Sequence, residues 1–138
     1  MKVVVTGARG FVGRNLCVVL KRRQDLDVAG FDLNHDRRNL EATVVEADVL
    51  FHLAGVNRPD RMEEYATGNA GFTSQLLRLL EDAGRKPKIV FTSSIQAELD
   101  NPYGRSKLAA ENALRGFAEA TGAEVVTFRL NNLFGKWC

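Results

Sequence analysis

A tyrosine and a lysine four positions apart, Tyr103 and Lys107, are the side chains of this sequence best suited to proton transfer. On a helix, residues at i and i+4 share one face. A neighbouring ammonium stabilises a phenolate, so we expect Lys107 to lower the pKa of Tyr103 from about 10 towards neutrality, where a general acid works best. Ser94 precedes Tyr103 by nine residues and follows an apolar segment. At the end of a strand, its hydroxyl can hold a substrate oxygen beside the phenol.

By themselves, a tyrosine and a lysine at this spacing usually form a pair on the protein surface. The N-terminal segment of the sequence favours a catalytic role instead. An apolar run, Val3 to Val5, is followed by Gly7, Gly10 and Gly13. The run is typical of a buried parallel strand, and the glycines let the backbone turn tightly and approach a pyrophosphate. The amides of a following helix would point at the phosphates. We therefore predict a dinucleotide-binding βαβ unit; the alternative is an ordinary strand-to-helix turn.

Strand and helix patterns alternate along the rest of the chain. About fifteen residues separate the second strand from the third, too few for a strand and two crossovers, so one outer strand is predicted to be missing. The pattern indicates an α/β fold, a Rossmann-type doubly wound parallel sheet. The predicted strands are 3–5, 28–31, 48–53, 88–91 and 124–130, and the predicted helices are 11–21, with Val12, Leu16, Val19 and Leu20 on one face, 40–47, 68–82 and 102–121.

Two sets of residues give conflicting indications about the dinucleotide. Asp32 follows the second strand and lies nineteen residues after Gly13. A carboxylate there accepts hydrogen bonds from the free ribose hydroxyls of NAD, although Asp32 can also be read as a turn residue. Arg9, Arg37 and Arg38 can instead pair with the 2′-phosphate of NADP, while Arg37 and Arg38 can also be read as a solvated helix start.

The composition excludes several classes of function. The chain has 138 residues, of which 45% are hydrophobic, and indicates one soluble domain with no apolar run of membrane-spanning length. A formal net charge of +2 with dispersed basic residues argues against nucleic-acid binding. Cys17 and Cys138 form no disulfide framework, which fits a reducing cytoplasm. His35 and His52 lack metal-ligand spacing, so no metal site is predicted and both are expected to be structural or solvated.

Over essentially its whole length, the sequence resembles the extended short-chain dehydrogenase/reductase family. Several linked motifs in the same order make this resemblance specific. The matching segments are 6–13, 52–55, 69–73, 93–94, 103–107 and 129–135.

The resemblance implies a role for each matching position. Tyr103 is the acid/base, Ser94 is its partner at the substrate oxygen, Lys107 binds the nicotinamide ribose and Asn69 helps in the proton relay. Asn132 contacts the nucleotide-sugar. Asn69 and Asn132 can also be read as a helix-start residue and a turn residue. The residues implied to bind the cofactor are Gly7, Arg9, Gly10, Phe11, Val12, Gly13, Asp32, Arg37, Leu53, Ala54, Gly55, Thr92, Tyr103 and Lys107.

A narrower resemblance joins segments 52–59, 93–97, 100–104 and 132–138 to bacterial reductases of 4-keto UDP-sugars in capsular polysaccharide biosynthesis, on the route to N-acetyl-L-fucosamine. It implies a UDP-sugar substrate and favours NADP(H), with NAD(H) as the alternative. Such enzymes are far longer and carry a zinc-binding cupin domain. We therefore expect residues 1–138 to be the NAD(P)-binding Rossmann domain of a homodimeric enzyme, without the substrate-binding half and inactive alone.

Two departures from the wider family bear on the reaction. The interval between Ser94 and Tyr103 is shorter than in typical nucleotide-sugar epimerases, so the loop at the substrate mouth must differ. Ile95 and Gln96 stand where a dehydratase has an Asp-Glu pair, which argues against dehydration. Reduction of a keto-sugar is the leading hypothesis. A nucleotide-sugar 4-epimerase is the enzymatic alternative, and a non-catalytic dinucleotide-binding module is the alternative of another class.

Overall fold

Five parallel strands form one sheet in the structure, a computed structural model that describes residues 1–32 and 36–138. The order β2-β1-β3-β4-β5 reverses at β1, so β2 lies on one side and every later strand on the other. This confirms the predicted Rossmann-type parallel sheet. In the described part of the chain β2 is an edge strand, as its short connection to β3 predicts, and His35 lies outside that part. The strands are β1 (Lys2–Thr6), β2 (Asp27–Phe31), β3 (Val49–His52), β4 (Lys88–Ser94) and β5 (Val125–Leu130).

Helices connect successive strands and cover the sheet. α1 contacts β1 and β2, whereas α4 contacts α2 and α5. Because crossovers are right-handed and the chain changes direction at β1, α1 lies on the face opposite the other helices. The helices are α1 (Phe11–Leu20), α2 (Arg37–Val44), α3 (Glu63–Tyr65), a π-helical turn (Ala66–Gly71), α4 (Phe72–Asp82), a 3₁₀ turn (Ile95–Glu98) and α5 (Pro102–Thr121).

The hydrophobic core lies between the sheet and the α4–α5 layer. Alternate residues of the central strands supply one side, because successive side chains of a strand point to opposite faces. The core includes Val4, Leu50, Ile89, Phe91, Leu76, Leu80, Leu114 and Phe117. Within the described ranges, no helix is both long and apolar enough to cross a membrane.

Several predicted boundaries change. α2 begins at Arg37 rather than residue 40, because the Asp36 carboxylate accepts from the Arg38 N–H at 3.0 Å and caps the helix. The helix predicted from residue 68 begins at Glu63 and passes through the π-helical turn. β4 extends to Ser94, since it pairs with β5 as far as Leu130. Val19, predicted on the apolar face of α1, is 60% exposed because it lies on the flank, 100° round the helix from Leu20.

Candidate active site

The glycine loop between β1 and α1 leaves room for a pyrophosphate. Gly7 has φ of +70°, and a Cβ there would lie 2.7 Å from the Ala54 nitrogen. A Cβ on Gly13 would lie 2.1 Å from the Gly7 carbonyl oxygen. The Gly10 N–H donates to that same carbonyl at 3.0 Å and closes the turn. Only glycine fits these contacts, and the loop opens onto the N-terminus of α1, a favourable place for phosphate.

A cavity of about 450 Å³ lies beside this loop at the carboxyl edge of the sheet. Seven of the predicted cofactor residues line it, and these are Gly7, Gly10, Asp32, Arg37, Leu53, Ala54 and Gly55. The predicted residues outside its lining are Arg9, Phe11, Val12, Gly13, Thr92, Tyr103 and Lys107. The opposite wall was not predicted and comes from α2, the π-helical turn and α4, through Leu40, Thr67, Gly68, Phe72 and Gln75. The cavity and the glycine loop together fit an extended dinucleotide.

Charged groups surround the end of the cavity near β2. The Asp32 carboxylate accepts a hydrogen bond from the Arg9 backbone N–H at 2.8 Å, which fixes the acid against the glycine loop. Arg37, the first residue of α2, donates to Glu41 at 2.8 Å and to Gln75 at 3.3 Å. The cavity thus presents both a carboxylate and a guanidinium where the adenosine ribose of a dinucleotide would lie.

Lys107 is buried beneath this edge of the sheet, on α5. It is 5% exposed, its Nζ donates to the Thr92 carbonyl at 3.0 Å, and it lies 5.0 Å from the centre of the Phe91 ring. Burial lowers the pKa of Lys107 to about 8, and the charge of Glu111 opposes that change. At neutral pH the ammonium form therefore still predominates.

The phenol of Tyr103 corrects one expectation. Its pKa is raised, not lowered: burial disfavours the phenolate, and this outweighs the opposing effect of a hydrogen bond with Ser94. The Lys107 Nζ donates to the Thr92 carbonyl, and its charge does not offset the effect of burial on this pKa. The ring of Tyr65 lies 5.6 Å from that of Tyr103. The phenol of Tyr103 is therefore protonated and neutral at neutral pH.

The short interval between Ser94 and Tyr103 is filled by the 3₁₀ turn. The Ser94 hydroxyl oxygen accepts from the Gln96 N–H at 3.1 Å and caps this turn. A Cβ on Gly104 would lie 2.0 Å from the Gln96 carbonyl oxygen, so the turn packs directly against the first turn of α5. This contact brings Ser94 and Tyr103 together without a long loop.

Asn69 is a buried residue of the π-helical turn, so its interpretation as a helix-start residue is wrong. Its side chain accepts from the Val56 N–H at 2.8 Å and donates to the Val56 carbonyl at 3.1 Å and to Ser106 at 2.9 Å. A Cβ on Gly55 would lie 2.8 Å from Asn69 Oδ1 and 3.0 Å from Lys107 Nζ. The glycine thus lets the amide and the ammonium approach one another.

Asn132 follows β5, two residues beyond Leu130, which pairs with Ser94. It is exposed. Its predicted contact with a nucleotide-sugar stays a prediction.

A directed chain of hydrogen bonds crosses the sheet through His52, which is 2% exposed. The Ala54 N–H donates to Thr6 Oγ1 at 3.3 Å, which contacts His52 Nδ1 at 2.9 Å. His52 Nε2 contacts Thr73 Oγ1 at 2.8 Å, and Thr73 donates to the Asn69 carbonyl at 2.9 Å. Since Thr73 already donates, the imidazole carries its proton on Nε2 and accepts at Nδ1. His52 is structural and links the loop after β3 to Asn69.

The family model that matches the chain is the NAD dependent epimerase/dehydratase family, over residues 3–137. A UDP-2-acetamido-2,6-beta-L-arabino-hexul-4-ose reductase of Pseudomonas aeruginosa is 49% identical over 137 residues, which are 99% of this chain and 37% of that protein. The chain thus spans little more than a third of the length of this relative.

Solved structures also resemble the chain. The capsular polysaccharide assembling protein CapF of Staphylococcus aureus superposes with a TM-score of 0.87 at 44% identity, covering 100% of this chain and 37% of that one. A UDP-glucuronic acid 4-epimerase of Bacillus cereus in complex with NAD has a TM-score of 0.80 at 23% identity, covering 94% of this chain and 56% of that one, a likeness of fold alone.

Proposed function

We propose that this chain, which belongs to the NAD dependent epimerase/dehydratase family, is the dinucleotide-binding domain of a reductase of a 4-keto UDP-sugar in capsular polysaccharide biosynthesis. The observation that carries the proposal is the hydrogen bond between Ser94, at the carboxyl end of β4, and Tyr103, which shares a face of α5 with Lys107. The name of the 49% identical relative supplies the substrate class. The site lies beside a cavity suited to a nicotinamide dinucleotide.

The cofactor contributes the electrons. When bound, a reduced nicotinamide supplies hydride to the carbonyl carbon. The chain's own residues hold the dinucleotide: the glycine loop accepts the pyrophosphate at the start of α1, and Asp32 faces the adenosine ribose. We place Ala54 and Thr92 beside the nicotinamide ribose, with Lys107 as a donor to its hydroxyls.

Tyr103 supplies the proton. Its phenol donates to the carbonyl oxygen of the substrate while the Ser94 hydroxyl donates a hydrogen bond to the same oxygen. The raised pKa of Tyr103, caused by burial, keeps this proton in place at neutral pH, which is the form a reduction requires. After transfer, the Lys107 ammonium stabilises the phenolate. Asn69 fixes the Val56 backbone and Ser106, and so shapes the route by which the proton is replaced.

For the cofactor we favour NADP(H), with NAD(H) as the alternative. Arg9 is exposed in the glycine loop, where its guanidinium can reach a 2′-phosphate. Arg37 lines the cavity, although Glu41 already accepts from it. Asp32 favours NAD(H) instead, because a carboxylate repels a 2′-phosphate.

We also propose that the full-length enzyme is a cytoplasmic homodimer, as the family resemblance implies. Two free thiols, Cys17 and Cys138, fit a reducing compartment. Analytical ultracentrifugation of the full-length protein tests the dimer.

Substitution of the proton donor tests the function. In the full-length protein, with a UDP-4-keto-hexosamine and a reduced nicotinamide, we expect Tyr103→Phe to abolish turnover and to leave dinucleotide affinity nearly unchanged. Lys107→Ala should damage both, because Lys107 serves the ribose as well as the phenol. Tyr65→Phe is the matched control, since it removes a neighbouring phenol outside the proposed chemistry.

The product distinguishes the alternatives. A reductase consumes one reduced nicotinamide for each 4-hydroxyl formed, whereas a 4-epimerase returns its cofactor unchanged. Undiminished turnover in Tyr103→Phe would remove Tyr103 from the mechanism. Dinucleotide binding with no turnover of any UDP-sugar by the wild-type protein would favour a non-catalytic module.

A further inference from the structure

Three ionisable side chains lie one turn apart along the buried face of α5. Tyr103, Lys107 and Glu111 follow one another at intervals of four residues. Lys107 and Glu111 are 5% and 7% exposed. A buried carboxylate is costly unless it is paired, so the position of Glu111 requires an explanation.

Arg129 of β5 provides the partner of Glu111. Its Nε donates to Glu111 Oε1 at 2.9 Å and its Nη2 to Oε2 at 2.8 Å, a two-pronged bridge. Its third nitrogen, Nη1, donates to Glu98 of the 3₁₀ turn at 2.7 Å. Burial is the largest single influence on the pKa of the Glu111 carboxyl and raises it. The bonds and charge of Arg129, with a hydrogen bond from Ser93 and the charge of Arg115, together outweigh burial and leave that pKa below its ordinary value. Glu111 therefore stays charged beside Lys107.

The charges around Lys107 alternate in sign with distance. Glu111 is one helical turn away, Arg129 lies behind it, and Glu98 lies behind Arg129 at the surface. Glu111 is the nearest of these charges to Lys107 and Glu98 is exposed to solvent, so the negative charge of Glu111 dominates. Burial favours the neutral form of Lys107, and the negative charge of Glu111 favours the ammonium form. The other titratable or charged groups facing this cluster are Tyr103 and Arg115 on α5, neutral His52 on β3 and Tyr65 on α3.

We propose that Glu111, held in place by Arg129, is a positioning residue that keeps Lys107 in its ammonium form beside Tyr103 at neutral pH. The inference rests on the proposed reductase function, in which the ammonium must face the phenolate left after proton transfer. Glu111 touches neither the cavity nor the phenol and acts through Lys107 alone. The bidentate geometry matters because it holds both oxygens of the Glu111 carboxylate and so fixes their position one helical turn from Lys107.

Competitive labelling of Lys107 tests this without relying on turnover. The full-length protein is treated with trace acetic anhydride across a pH series, and peptide mass spectrometry gives the midpoint at which Lys107 becomes reactive. In Glu111→Gln this midpoint should fall by about one unit or more, since an opposite charge at short range shifts a pKa by that amount. Wild type starts at a pKa of about 8. The ammonium fraction at neutral pH would thus drop from about nine-tenths to about half.

Three further variants serve as controls. Glu98→Gln removes the exposed carboxylate that shares Arg129 and should leave the Lys107 midpoint within a few tenths of a unit of wild type. Glu111→Gln combined with Arg129→Gln removes the buried pair together, so that no charge is left unpaired if the single variant fails to fold. The double variant should also show a lowered Lys107 midpoint. Glu111→Asp keeps the carboxylate, so its midpoint should lie close to that of wild type.

The outcomes separate this inference from the function on which it rests. A midpoint unchanged in folded Glu111→Gln, or in the double variant, would overturn the role of Glu111. A lowered midpoint supports the role, even if no UDP-sugar is turned over and the reductase proposal fails. If the function also holds, kcat/KM of Glu111→Gln should recover as pH is lowered towards its new Lys107 midpoint. A purely structural defect would not recover in this way.

Discussion

Mild acid should destabilise this protein through His52. Burial, with a smaller contribution from the Lys107 charge, lowers the pKa of His52 to about 3 in the folded state. In the unfolded chain the imidazole titrates near its ordinary value of about 6.5. Below that pH the unfolded state binds a proton that the folded state does not bind, so the free energy of unfolding falls as pH falls. The contribution of neutral His52 is fully present above about pH 6.5 and is lost progressively below it.

The magnitude follows from the gap between the two pKa values. Each pH unit below the unfolded value costs about 1.4 kcal/mol until the folded value is reached. Between about pH 7.5 and about pH 5, His52 should therefore remove about 2 kcal/mol of unfolding free energy. Protonation would also place a hydrogen on Nδ1, where the Thr6 hydroxyl now donates.

Urea unfolding followed by circular dichroism at both pH values measures this loss. The comparison variant is His52→Asn, whose side-chain oxygen can accept from Thr6. It should be less stable than wild type at neutral pH by about 2 kcal/mol, since it loses the stacking on Phe91 and the bond to Thr73. Its stability should depend less on pH, by the amount assigned to His52. Carboxylates titrate in both proteins and cancel, so equal pH dependences would refute the reasoning.

Further predictions concern the glycine loop and the choice of cofactor. Gly13→Ala should weaken dinucleotide binding more than tenfold, because its Cβ would meet the Gly7 carbonyl oxygen at 2.1 Å. Gly116→Ala is the control, since apart from its chain neighbours and the backbone of its own helix no described atom lies within 4 Å of its Cβ. It should stabilise α5 by about 1 kcal/mol. Calorimetric titration and thermal unfolding measure the two effects, and unchanged affinity in Gly13→Ala contradicts the loop assignment. Arg9→Ala should weaken NADPH about tenfold and leave NADH nearly unaffected; tighter NADH binding by wild type, or no loss of NADPH affinity in the variant, would show that the cofactor choice is wrong.

Local signals in the sequence were enough to predict the bounds of α5 but not those of the helical segment before α4. α5 has its predicted bounds because Asn101 caps its first turn and Gly122 ends it at φ of +72°. The turn around Asn69 depends on side-chain bonds to Val56 and Ser106, thirteen and thirty-seven residues away. Its π-helical geometry leaves no mark in the periodicity of apolar residues.

The candidate site was also predictable only in part. Spacing alone placed Tyr103 and Lys107 on one helical face, and the glycine loop has the predicted strand-loop-helix setting. The direction of the Tyr103 pKa was wrong, because burial of its ring is a tertiary effect. The cavity wall formed by Thr67 and Gln75 was also missed, since these residues reach the loop only through the packing of α4 on the sheet.

The strand order also bears on how the chain can fold as it leaves the ribosome. β2 pairs with one edge of β1 and β3 with the other, and then β4 and β5 each add to the free edge of the strand before them. No strand has to enter between two that are already paired. The described residues that line the dinucleotide cavity all lie between Thr6 and Leu79, whereas Ser94, Tyr103 and Lys107 are made later. A nascent chain can therefore complete the lining of this cavity before Tyr103 and Lys107 have been synthesised, and a dinucleotide bound there would stabilise the partial sheet on which the later strands assemble.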